Sequence, residues 1–321
     1  MPSARVRRRL SCVAAVALAA AAVAGCGLGA GSTPGETQLL VTKDFGHDGI
    51  VQTDHPKTDG SDTVMRLLER NAPKVTTRFG GGFVQSIDGT SGGHQNGRPV
   101  DWFFSVNGIQ ADKGAASVRV HQGDRVWWDF HDWGVTDRVP AVVGAFPEPF
   151  LHGIDGRRLP TRVECVDPNS DACAAVYDKL TSLGLPAAKG GVGNSFVQDT
   201  LRVLVGPWIA LRGETTAKLL ERGPAISGVF AKPATDGKSI TLLDGQGKAT
   251  RTLGAGTGLV AATSVTQDRK GGAGGEPVWI VTGTDDAGIA TAASAFDEGA
   301  LAGRFAIALS GGKPVALPEV P

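Results

Sequence analysis

The segment that closes at Cys26 constrains this chain more than any other, because it decides where the chain folds and under what redox conditions. Arg5, Arg7, Arg8 and Arg9 make a positive start, and the run from Cys12 to Ala24 is almost wholly Ala and Val. A run of that kind has the length of an export-signal core and is too short to span a bilayer. The expectation is a chain that folds outside the cytoplasm. Of its four cysteines, Cys12 would leave with the signal and Cys26 sits at its end. Cys165 and Cys173 remain, and in an oxidising compartment a lone pair is most simply a disulfide closing a short loop. A redox or metal pair fits less well, since the spacing is C-x7-C instead of C-x-x-C.

Val23-Ala24-Gly25-Cys26 resembles the lipobox of bacterial lipoproteins. Small residues at 24 and 25 suit a peptidase cleft, and the Cys26 thiolate is the nucleophile that would take a diacylglycerol. The expectation is therefore cleavage of residues 1–25 and lipid on Cys26, anchoring the chain to the outer face of the cell membrane. Each buried CH₂ of an acyl chain contributes about 0.8 kcal/mol to that anchoring. The alternative is an ordinary secretory cut with Cys26 incidental. Residues 26–37 are rich in Gly, Ser, Thr and Pro and read as a flexible tether.

The formal charge of the full chain is zero, with 32 basic and 32 acidic residues. Without the four signal arginines it becomes 28 against 32, or −4, which argues against nucleic acid or anionic headgroups as partners. The remaining 296 residues (321 less 25) are more than one small core needs and suggest two domains, 38–140 and 141–321.

In the first of these, Leu39-Leu40-Val41-Thr42 reads as a strand and Phe45 to Gly49 as a turn-rich segment. Val64, Leu67 and Leu68 recur at helical spacing behind Ser61 and Asp62, and Asn71-Ala72-Pro73 stops the helix. Gly82 to Gly89, Asp101 to Gly108, Val118 to Val120 and Arg125 to Phe130 read as short strands separated by glycine turns. The order and spacing of Asp62-Thr63-Val64-Met65-Arg66-Leu67-Leu68, Phe83-Val84-Gln85-Ser86-Ile87-Asp88-Gly89, Trp102-Phe103-Phe104-Ser105-Val106-Asn107-Gly108, Gly114-Ala115 and Gly123-Asp124-Arg125-Val126-Trp127-Trp128 resemble the transcobalamin-like C-terminal domain family. The resemblance covers residues 38–133. It implies a β-grasp fold, with one helix on a small mixed sheet, and extracellular binding of a ligand or partner without catalysis. A corrinoid is the ligand it suggests.

Strand alternation places Trp102, Phe104 and Val106, with Val126, Trp128 and Phe130, under the helix. The opposite face then carries Phe103, Ser105, Trp127, Asp129 and His131. Aromatic planes among polar tips suit an amphipathic small molecule or, equally, an envelope protein. The plainer reading is that the second domain covers this face; both hold if a ligand lies at the domain seam.

From Val142 onward the expectation is an α/β domain. Strands are read at Gly144-Ala145-Phe146, Thr161–Cys165, Leu201–Val205, Val229-Phe230-Ala231, Ile240–Leu243, Leu259–Ala261, Val278–Val281 and Phe305–Leu309. Helices are read at Asp171–Leu183, with Ala175, Leu180 and Leu183 inward, at Thr215–Arg222, with Leu219 and Leu220 inward, and at Asp286–Phe296. Val205-Gly206-Pro207-Trp208 and Val281-Thr282-Gly283-Thr284 form a faint repeat, each a strand end before a helix. Such helix starts can hold an anion, although any α/β unit has them.

No hydrolase or zinc-protease motif occurs, and Gly254-Ala255-Gly256-Thr257-Gly258 lacks nucleotide-loop spacing. His47, Asp48 and His55, or Asp129, His131 and Asp132, could in principle meet at a metal, but neither set has helical ligand spacing. Asp285-Asp286 reads as a helix cap. The chain is therefore expected to be a lipid-anchored α+β binding protein, with no enzyme activity, metal or cofactor. Its partner would be a small ligand or, alternatively, another envelope protein.

Overall fold

A computed structural model describes residues 37–193, 199–265 and 276–320. The expected export segment, the expected lipidation site Cys26 and residues 27–36 of the expected tether lie outside the described residues. The chain is α+β, with sheet predominating over a few short helices.

The first sheet runs in the order Asp48–Thr53, Gln38–Lys43, Arg125–Asp132, Arg98–Val106, Gly93–Gln95, with Ile109–Gln110 paired to the fourth. Gln38–Lys43 lies parallel to Arg125–Asp132, and the other pairs are antiparallel. The helix Val64–Asn71 begins where the Thr63 hydroxyl accepts the Arg66 N–H. It buries Val64, Met65, Leu67 and Leu68 against Leu39, Val41, Trp102, Val126, Trp128 and Phe130. Residues 118–120 form no strand: the Arg119 bridge to Thr63 is isolated, and Val118 spends its carbonyl on Val64 N–H.

A second sheet of seven strands runs Ala187–Gly191, Thr161–Cys165, Leu201–Pro207, Val278–Gly283, Gly258–Thr263, Ala306–Ser310, Lys313–Leu317. The first four strands are parallel and the rest antiparallel. Its central strands are buried on both faces, the signature of a covered sheet. Asp171–Ser182 and Asp286–Ser294 pack on one face. The small sheet Ala231–Pro233, Ile240–Leu243, Ala249–Leu253 and two short helical turns pack on the other. The Cys165–Cys173 disulfide is formed across 5.9 Å between Cα atoms, tying the strand end to the first turn of the helix that Ser170 caps.

Several local expectations change. Gly144-Ala145-Phe146 belongs to no strand: Val143–Ala145 is a 3-10 turn, and Pro147 and Pro149 beyond it supply no N–H for a ladder. The Asp171–Ser182 helix buries Cys173, Val176 and Leu180 and leaves Ala175 exposed, because the disulfide sets which side faces the sheet. Ala217–Arg222 is a 3-10 helix; the Glu214 carboxylate holds the Thr216 and Ala217 N–H groups at its start, Leu220 is buried and Leu219 only half so. Val229 and Phe230 are buried but precede their strand, which is Ala231–Pro233.

Candidate functional site

The helix-free face of the first sheet is built in rows. Pairing across the strands puts Leu40, Trp127 and Ser105 in one row and Thr42, Asp129 and Phe103 in the next. His131 follows, two residues beyond Asp129 on the same strand face. Leu40 and Thr42 were legible as members of this face from the alternation Leu39-Leu40-Val41-Thr42 alone.

Asp129 is the hub. Its carboxylate accepts the Thr42 hydroxyl at 2.5 Å, the Phe45 and Gly46 N–H groups at 3.0 and 2.9 Å, and a His131 Nδ1 contact at 2.7 Å. The Trp127 Nε1–H donates to Thr42 Oγ1 at 2.8 Å. A buried carboxylate demands such partners. Here they also hold an unusual turn, in which Asp44, Phe45 and Gly46 have φ of 51°, 59° and 91°. Left-handed backbone at a bulky Phe is sterically strained and persists only where surroundings enforce it.

That turn delivers the Phe45 ring onto His131, 4.4 Å between centroids, while Phe103 stacks on His131 at 4.6 Å. Phe305 closes edge-on against Phe45, Trp127 and His131, and Phe230 reaches Phe45 from beyond. One apolar cluster thus contains Phe45 and Trp127 together with Phe230, Leu259, Ile280 and Phe305 of the second half. Glycines permit the closeness. A Cβ on Gly144 would sit 2.5 Å from Arg304 N and 2.8 Å from the Trp127 ring.

Of the five residues singled out on this face, all therefore come together, and the second half of the chain covers them. Phe103, Ser105, Trp127, Asp129 and His131 line a hollow of only 30 Å³ with Val139, Val142 and Phe305, enough for a water molecule or two.

Open space lies to either side of the Asp44–His47 turn. On one side is a cleft of 690 Å³, walled by Leu40, Thr42, Gln52, Arg125 and Trp127 and, across the seam, by Glu298, Gly303 and Arg304. Arg125 spans its floor, donating to Phe146 O at 2.5 Å and Glu298 Oε1 at 2.6 Å. On the other side is a hollow of 490 Å³ that Phe45, His47 and His131 share with Gln95, Asn96 and Arg98 and with residues 244–246 and 318–320.

The remaining expectations fall differently. Asp285 caps the Asp286–Ser294 helix through Gly288 N–H and also accepts Gly256 N–H, and these bonds hold its carboxyl below the usual carboxylate range. The helix start is thus filled by the chain's own anion, and the 254–258 glycine loop packs onto it. The partner turn after Pro207 is a four-residue helix, Trp208–Leu211. Asp132 turns from His131 to accept Gly134 N–H, and among the described residues no group of three or more His, Cys, Asp or Glu is arranged to hold a metal.

Compared with known proteins, residues 61–132 match the family model described as "Domain of unknown function (DUF4430)". No curated protein and no solved structure matches the chain.

Proposed function

We propose that the chain is a lipid-anchored extracytoplasmic binding protein that takes a small ligand in the 690 Å³ cleft at the seam. That cleft is the observation on which the reading rests: it falls within the range of sites for small molecules, and both apolar and charged groups line it. The resemblance of residues 38–133 to the transcobalamin-like family, with the family match inside that stretch, supports ligand binding over catalysis. The mixed sheet with a single capped helix is compatible with the β-grasp architecture that the resemblance implies. The lipobox-like Val23-Ala24-Gly25-Cys26 supports the anchor. Relative to the residues first singled out, the ligand moves one row outward: Trp127 borders the cleft, whereas Asp129 and His131 hold the turn that shapes it.

The soluble form beginning after Cys26, purified from its own host's envelope, is expected to retain a small molecule in native mass spectrometry. Gln52 is an exposed cleft residue on an edge strand, so Gln52→Trp should fill the cleft and weaken retention at least tenfold without unfolding the protein. Undiminished retention by that variant would place the ligand elsewhere. Added corrinoid, bound by the wild type and lost in Gln52→Trp, would name the ligand class.

A second reading, docking of an envelope protein, draws on a different surface. Phe79 is 85% exposed and stands 6.3 Å from Phe83, itself 39% exposed. Exposed paired aromatics are enriched where proteins dock. Loss of an envelope partner from Phe79→Ser, with small-molecule retention unchanged, would favour that reading.

A further inference from the structure

The first sheet has a gap along one edge. Gly93–Gln95 pairs with residues 98–100 of the strand Arg98–Val106, and Ile109–Gln110 pairs with 105–106, so residues 101–104 have no neighbouring strand on that side. A hollow of 420 Å³ opens there, between residues 82–84, 101–104 and 110–115. Its walls are aromatic: Trp102, Phe104 and Trp128 come from the sheet, and Phe83 and Trp133 stand exposed at the rim. Asp112, Lys113 and Asp137 also border it, but they are exposed, of both signs and screened by water, so they select no ionic occupant.

A second observation is a hydrogen bond that the fold does not make. Three tryptophans of this sheet bury their rings, and two of them donate their indole N–H: Trp102 to Thr90 O at 3.0 Å and Trp127 to Thr42 Oγ1 at 2.8 Å. Trp128 is 2% exposed and stacks on Phe104 at 4.8 Å, yet its Nε1 is buried without a hydrogen-bond partner. Among the described residues that line the hollow, it is the one buried side-chain polar atom left so. Gln110 in the same wall donates to Asp137 O and accepts Val139 N–H, and Asp101 accepts Trp102 N–H. Trp208 and Trp279 leave the same atom unpartnered, but both lie in the second half and line none of the hollows described above. A buried donor without an acceptor has lost the bond it made with water, and an occupant that brings an acceptor restores it.

We propose that this hollow binds a neutral, ring-bearing apolar molecule with a carbonyl oxygen, its rings against the aromatic wall and its oxygen accepting the Trp128 indole N–H. The volume and the mostly apolar lining with one convergent polar group are those of a small-molecule site. The half-buried Asp101 carboxyl in the wall, raised above the usual carboxylate range by that burial, disfavours an anion. The site is separate from the cleft of the proposed function, and neither depends on the other.

Acetylnaphthalene and ethylnaphthalene, nearly equal in shape and differing by a carbonyl in place of a methylene, test this directly. Titrated into the isotope-labelled soluble protein and followed by the indole N–H resonances, acetylnaphthalene should bind saturably and at least fivefold more tightly than ethylnaphthalene. The Trp128 indole proton, identified by its loss in Trp128→Phe, should shift downfield. Trp128→Phe keeps a ring in the core and should equalise the two affinities. Trp133→Ala, at an exposed rim position, should weaken both probes at least threefold, and it keeps the test open if the core variant fails to fold. Gln52→Trp and Phe79→Ser lie outside the hollow and should change neither affinity. No saturable binding of the ketone, equal affinity for the hydrocarbon, an unmoved Trp128 signal, a preference that survives in Trp128→Phe, or undiminished binding in Trp133→Ala would each overturn the proposal.

Discussion

The two faces of the first sheet are made by the same alternation and do opposite things. On the helix side, every other residue is apolar, and the core of Trp102, Trp128, Phe130, Leu67 and Leu68 closes locally. On the other side the alternate positions carry Thr42, Asp129 and His131, which are buried and whose polar atoms bond to one another and to the 44–46 turn. They moor a strained turn whose phenylalanine reaches into the core of the second half. The contrast shows that polar residues on a strand face can be an internal fastening when a later segment covers them.

Asp129→Ala should have the largest effect. It strips partners from Thr42, Phe45 N–H, Gly46 N–H and His131 together, and removal of one member of such a buried set costs about 3–5 kcal/mol. Urea unfolding should show that loss, and amide exchange should rise at 44–47 and around Phe305 across the seam. A loss below about 1 kcal/mol would make the seam face a mere rim.

Leu67→Ala on the helix side should cost about 2–5 kcal/mol, with exchange increases centred on Val64–Asn71 and its sheet. Because one cluster spans the seam, both variants should still unfold in a single transition. Two separated transitions would show that the fastening is weaker than either half.

Replacement of Cys165 and Cys173 by serine should cost about 2.5 kcal/mol, the loop-closure effect of a short bridge. Since the bridge lies on the far face of the second sheet, affinity at either proposed site should be unaltered. A change in ligand affinity would reveal coupling across that sheet.

The smallest effect concerns pH. Burial holds the Glu148 carboxyl above its ordinary value of 4.5, despite hydrogen bonds from His152 and the charges of His152 and Arg125. A raised folded value means stability that is fully present below about pH 4.5 and lost as pH rises through the folded value. Glu148→Gln should therefore flatten the fall in Tm between pH 4 and 7. Parallel pH profiles for the two proteins would remove Glu148 from that account.

Much of this organisation was legible beforehand. Val64, Leu67 and Leu68 marked the helix face, the alternation in 101–107 and 125–131 sorted core from opposite face, and the lone Cys165 and Cys173 pair, in a chain expected to be exported, pointed to the disulfide. The residues of the seam face were legible too, but their use was not. Three successive left-handed residues at Asp-Phe-Gly leave no local signal, since Phe has no preference for that conformation and is forced there by Asp129, 84 positions away. The 143–149 segment misled for a related reason: its apolar residues suited a strand, and the two prolines denied it the hydrogen bonds.

The Cys165–Cys173 pairing, the α+β class and the alternation along the strands of the first sheet could be read from the chain's residue order, because they depend on neighbours within a few residues. Tertiary structure alone decided what covers the Phe103 and Trp127 face, that Asp129 moors a turn, and that two open spaces flank it. Those outcomes depend on contacts between residues near 45, 130, 245 and 305–319. Side-chain alternation states which way a residue points; only the folded chain supplies what it meets there.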